Sequence, residues 1–166
     1  MFQFTVASEN KDALYRDVLA AIEAVTKGEP DPIANMANAA AILWEYLPDL
    51  NWVGFYRMID GELVLGPFQG KVACIRIAVG QGVCGAAAAK GHTQLVGDVH
   101  AFPGHIACDA ESQSEIVIPV IVDGQVVAVL DLDSPQLFRF DSTDAAGLEA
   151  IVHTLAPRIW PKTRQI

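Results

Sequence analysis

The chain has 166 residues, 52% apolar against 19% charged, a length and composition that fit one domain, 1–166, around a real hydrophobic core. A net charge of −9 repels phosphate backbones and anionic lipid, which argues against nucleic acid and membranes as partners. No apolar stretch approaches the roughly 18–20 residues that span a bilayer, and the opening MFQFTVASENKD has no basic flank before an apolar region, so the expectation is a cytoplasmic protein whose three cysteines are reduced thiols.

In chain order, Lys11 to Lys27 carries Leu14, Val18, Ala21, Ile22 and Val25 at helical spacing, and Gly28 and Pro30 end that helix. A second helix follows Pro30-Asp31-Pro32, with Ile33, Met36, Ala40, Leu43 and Leu47 on one side until Pro48. Asn51 to Ile59 and Glu62 to Phe68 are extended runs around Asp60-Gly61, the pattern of a hairpin. Gly70 to Ser114 is rich in glycine and holds every cysteine, so short strands and long loops are expected there. Glu115 to Val122 and Gln125 to Asp133 predict a buried hairpin around Asp123-Gly124. The last helix starts at Asp141 or Ser142, buries Leu148, Ile151, Val152 and Leu155, and runs until Pro157. Crossover helices between the strands are largely missing. The expected fold is therefore α/β of the α+β type, a mostly antiparallel sheet with helices on one face and a loop-walled ligand pocket on the other.

Cys74, Cys84 and Cys108 share the glycine-rich window, and none forms a CxxC. A two-electron reduction by thiols needs one nucleophile and one resolving partner, and this window offers both. His100, His105 and Cys108 lie close together in HAFPGHIAC, but their spacing does not match paired zinc ligands, so no metal is expected. Gly80, Gly82 and Gly85 could form a backbone nest for an anion, yet no phosphate-loop or dinucleotide motif accompanies them and no cofactor is expected.

Asp131 and Asp133 are two apart on a strand, which sets both on one face beside Val127 and Val129. Glu115 joins that face only in the right register. A two-residue turn would pair Val122 with Gln125 and send Glu115 opposite Leu132, to the wrong face. A three-residue loop, Val122-Asp123-Gly124, pairs Ile121 with Gln125 and sets Glu115 opposite Asp131; that register is the expected one. Three carboxyl groups crowded in a pocket cannot all ionise cheaply, so one keeps its proton and can serve as an acid toward a strong acceptor such as a sulfoxide oxygen. Trp52 and Tyr56 share a strand face and could wall off a methyl or thioether group.

Together NWVGFY, LGPFQGKVACIRI, GQGVCG, DVHAFPGHIACDAESQSEIVIP and VLDLDS resemble the free methionine-(R)-sulfoxide reductase family of GAF-domain proteins over nearly the whole chain. The resemblance implies a GAF-like fold and reduction of free methionine sulfoxide by thiols. It implies Cys108 as the nucleophile that becomes a sulfenic acid and Cys74 as the thiol that resolves it to a disulfide, reduced in turn by thioredoxin. Cys84 is left open between an alternative resolving thiol and a more direct part. Glu115, Asp131 and Asp133 match the family's sulfoxide-binding carboxylates, and Trp52 with Tyr56 its box around the methyl group. The resemblance also suggests a homodimer. Two other readings stand beside it: a non-catalytic GAF module that binds a ligand or senses redox state, and a thiol hydrolase using Cys108 with His105 or His100 as base. Asp109 and Glu111, close after Cys108, should raise its thiol pKa; Lys71, Arg76, His105 or a helix amino terminus are candidates to offset them.

Overall fold

A computed structural model describes residues 4–6, 10–106 and 109–160. Helix α1, Lys11–Thr26, is capped by Asn10, whose side chain accepts from the Ala13 amide at 2.8 Å. Helix α2, Pro32–Tyr46, begins on the Asp31 cap with proline in its first turn, where no amide hydrogen is needed. Strands β1, Trp52–Ile59, and β2, Glu62–Gly70, form the expected hairpin. Asp60 (φ 52°) and Gly61 (φ 83°) both adopt the left-handed conformation that a tight hairpin turn demands.

The middle of the chain contains a helix that the sequence reading missed. After β3, Arg76–Ala78, residues Gly82–Lys90 form α3, followed by β4, Gln94–Val96, and a 3-10 turn at Val99–Ala101. Two glycines in its first turn hide the helical propensity of Ala86 to Ala89. Gly85 is required for packing, because a Cβ there would come within 2.5 Å of the Ala78 carbonyl oxygen. Two of the three amides expected in the anion nest are engaged within the turn: the Gly80 amide donates to Gly85 O at 2.8 Å and the Gly85 amide to Gln81 O at 3.0 Å.

Strands β5, Ser114–Val122, and β6, Gln125–Ser134, complete a six-stranded sheet in the order β3-β2-β1-β6-β5-β4, with every neighbouring pair antiparallel. Helix α4, Ser142–Ile159, opens with a capping box between Asp141 and Asp144. It does not stop at Pro157. The missing amide falls in the last turn, where buried Ile159 anchors the end and the Trp160 amide bonds to Ala156 O at 3.1 Å.

Helices α1, α2 and α4 cover one face of the sheet, and their buried side chains merge with Val53, Phe55, Ile116, Ile118, Leu130 and Leu132 in the larger core. The expectation of helices on one face alone needs correction. Helix α3 lies on the other face, where Val83, Cys84 and Ala87 pack with Trp52, Tyr56, Leu63, Val117 and Val129.

The register of the β5–β6 hairpin also differs from expectation. The turn is the two-residue one, with Val122 opposite Gln125 and positive φ at Asp123 (51°) and Gly124 (78°). A β-bulge follows, because Ile121 faces Val126 while Val120 faces Ala128, leaving Val127 as the extra residue. The bulge restores parity by one residue. Glu115 consequently sits opposite Asp133, and Val117 opposite Asp131, so the carboxylates share a face by a route the turn did not reveal. It also turns Val127 to the helix-covered side, away from Asp131.

Candidate active site

Three central strands build the floor of a pocket on the α3 side. Across them, Trp52 pairs with Asp133, Gly54 with Asp131 and Tyr56 with Val129, while β5 brings Glu115 beside Asp133. Gly54 belongs there for a steric reason, since a Cβ would lie 2.7 Å from the Trp52 ring and 2.4 Å from the Phe68 Cβ. The indole instead stacks between Tyr56 (centroids 5.8 Å apart) and Phe68 (5.4 Å). Trp52 Nε1 donates to Lys71 O at 3.1 Å and the Tyr56 hydroxyl to Cys74 O at 3.0 Å, which ties this aromatic wall to the segment carrying Cys74.

The cavity is lined by Trp52, Tyr56, Cys84, Glu115, Asp131 and Asp133, together with His105, Asp109 and Ser112. Glu115 and Asp131 are each only 6% exposed. Among the described residues, no lysine or arginine forms an ion pair with either, or with Asp133. Burial therefore governs their ionisation. It pushes Glu115 well above the usual carboxylate range, with Asp131 and Asp133 adding repulsion. Burial and the charges of Asp131 and Asp109 do the same to Asp133. Asp131 rises to about 7 through burial, held back by hydrogen bonds with Cys84 and Glu115. Near neutral pH the group retains protons, as charge crowding requires.

Cys84 is at the centre of this floor, carried by α3. Its thiol donates to Asp131 Oδ2 at 3.2 Å, and burial, reinforced by the carboxylates, pushes its pKa far up. It is a buried, protonated, free thiol. His105 Nε2 stands 3.7 Å from Glu115 Oε2, yet burial first and His100 second lower its pKa, so a neutral imidazole meets a protonated carboxyl. Cys108 lies outside the described residues.

The sequence reading passed over the struts of the rim. Asn51 Nδ2 donates to Ser112 Oγ at 2.9 Å and to Asp109 Oδ2 at 3.2 Å, and the Glu111 amide donates to Asp109 Oδ1 at 3.0 Å. That amide, above all, lowers the Asp109 pKa, with Asn51 and Lys71 helping. Lys71 Nζ lies 2.6 Å from Glu111 and 3.5 Å from Asp109, so one cation is held against the two acids that follow Cys108 in sequence. Arg76 pairs instead with Glu62 at 3.0 Å. No local pattern marks Asn51 or Ser112; their partners are far away in sequence.

An antiparallel sheet with a cavity walled by α3 and the following loops is the architecture of a GAF domain, and the family model described as GAF domain matches residues 35–159. Escherichia coli (strain K12) free methionine-R-sulfoxide reductase is 51% identical over 146 residues, 88% of each chain. The Saccharomyces cerevisiae protein of the same name is 43% identical over 150 residues, 86% of this chain and 83% of that one. Among solved structures, the free methionine-R-sulfoxide reductase from Neisseria meningitidis in complex with its substrate superposes with a TM-score of 0.92 at 50% identity, covering 96% of each chain. The chain belongs to the free methionine-R-sulfoxide reductase family of GAF-domain proteins.

Proposed function

We propose that this protein reduces free methionine-(R)-sulfoxide to methionine with cysteine thiols as the electron source. The observation that carries the reading is the buried carboxyl group of Glu115, Asp131 and Asp133, proton-bearing near neutral pH and set beside the Trp52–Tyr56 wall. A sulfoxide is a polar oxygen on a sulfur that also bears a methyl group, and this floor offers acid to the one and aromatic surface to the other. The relatives named for this reaction, and the Neisseria structure holding its substrate, support the substrate class.

In the proposed cycle the Cys108 thiolate attacks the sulfoxide sulfur while a carboxyl proton passes to the departing oxygen. In the resulting adduct the hydroxyl passes from the methionine sulfur to the Cys108 sulfur as the old sulfur–oxygen bond and the transient sulfur–sulfur bond both break, so methionine leaves and Cys108 is left as a sulfenic acid. The Cys74 thiol then attacks that sulfur, water departs, and a Cys74–Cys108 disulfide remains for thioredoxin to reduce. Lys71 assists by holding Asp109 and Glu111, which limits the negative field near the nucleophile. Cys84 acts as a hydrogen-bond donor to Asp131, since a thiol so far from ionising is a poor nucleophile.

The deciding assay is NADPH consumption coupled through thioredoxin and its reductase, with the R and S sulfoxides of free methionine supplied separately. Turnover with the R form alone is expected. Cys74→Ser should stop thioredoxin-supported cycling after one methionine per enzyme; continued cycling in that variant would sink the resolving role, and no turnover with either epimer in the wild type would leave a ligand-binding module.

A further inference from the structure

The same floor has a donor set that the proposed reduction does not use as such. The Cys84 sulfur, a Glu115 carboxylate oxygen and an Asp131 carboxylate oxygen all lie within 4.8 Å of one another, delivered by α3, β5 and β6. Asp131 Oδ1, on a residue only 6% exposed, meets no amide, hydroxyl or cationic donor, its neighbour being the Glu115 carboxyl. Two facing buried carboxyls share too few protons to be well satisfied, and a cation in the cavity would satisfy both. His105 Nε2 lies 3.7 Å from Glu115 Oε2, beside the same group.

One sulfur and two carboxylates suit a borderline ion of the zinc type; magnesium and calcium take oxygen ligands. We propose that Cys84, Glu115 and Asp131 form a binding site for a zinc-type divalent cation. Coordination replaces the Cys84 S–H bond by a sulfur–metal bond and releases that proton to water, with no change of oxidation state. A cation so placed takes the carboxyl groups away from any sulfoxide, so it inhibits the reductase in competition with substrate; this consequence rests on the proposed function, whereas the cation site itself does not. The sequence expectation of no metal considered His100, His105 and Cys108, neighbours in the chain. The set assembled here comes together only through the sheet and α3.

The test uses cobalt(II) as a spectroscopic probe, titrated into the reduced full-length protein. A sulfur-to-cobalt charge-transfer band is expected, at one ion per chain, abolished by zinc(II), retained in Cys74→Ser and in Cys108→Ser, and lost in Cys84→Ser. Asp131→Asn should weaken cobalt binding about tenfold or more, and circular dichroism melting of each variant verifies that it is folded. Absence of the band in the wild type, or a band that survives Cys84→Ser, overturns the proposal. Free methionine-(R)-sulfoxide should displace cobalt from the wild type; a Cys84-dependent band that the sulfoxide does not disturb would uphold the cation site and count against the substrate pocket.

Discussion

The two faces of the central sheet are made by the same strands and have opposite chemistry. Along β6, Leu130 and Leu132 point into the helix-covered core and are fully buried, while Asp131 lies between them, buried at the floor of the cavity on the α3 side. The first face gains stability by removing apolar surface from water. The second loses some by removing carboxylates, and tolerates the loss by keeping them protonated. Stability and the candidate chemistry are thus divided by strand alternation, one residue apart.

Substitutions on either side should break that division if it is wrong. Cys108→Ser is expected to lower sulfoxide turnover by at least about 10³-fold, measured as methionine released, with no comparable fall in the urea midpoint. Asp131→Asn and Glu115→Gln should each cost about 10²- to 10³-fold in kcat/KM while leaving the fold as stable as before or more so. If either unfolds the protein instead, the α3-side face is structural and the contrast fails.

The mirror experiment is Leu132→Ala, which opens a cavity in the helix-side core next to the same carboxylates. It should cost about 2–5 kcal/mol of unfolding free energy, read from urea melts, with kcat/KM at low temperature little changed. A loss of activity as large as that of Asp131→Asn would show that the faces are not separable.

A smaller and sharper effect is the pH dependence of stability. Asp131 binds its proton up to about pH 7 when folded, against an ordinary value of 3.8, so between these values the folded state holds more protons than the unfolded one. Its contribution is therefore complete at low pH and is lost as pH rises through about 7. Between about pH 5 and pH 8 Asp131 by itself should account for a loss on the order of 2 kcal/mol, added to the losses from Glu115 and Asp133, whose pKa values are raised as well, and Asp131→Asn should lose less than the wild type. Equal slopes in the two proteins would mean that Asp131 is ionised in the fold.

Much of this arrangement was legible in advance, for reasons that lie close together in the chain. Helices α1, α2 and α4 show three-and-four spacing and side-chain caps, and the two hairpins carry Asp-Gly turns with both residues left-handed. The shared face of Trp52 and Tyr56 followed from alternation. Helix α3 did not show, because Gly82 is chosen for its positive φ beside Ile106 and Gly85 for close approach to the β3 segment, and neither for helical propensity. The register of β5 against β6 failed for another reason: a bulge at Val127 depends on how the sheet packs, and no residue there announces it.

By itself the sequence determined the elements, the side chains available for thiol and acid chemistry, and the family pattern they compose, since propensity, capping and turn conformation act over a few residues. Only the tertiary structure decided that Glu115 reaches the aspartates through a bulge, that Cys84 is a buried donor to Asp131, and that Lys71 is held against Asp109 and Glu111. Those outcomes depend on desolvation and on contacts between residues dozens of positions apart, and such quantities exist only once the chain is packed.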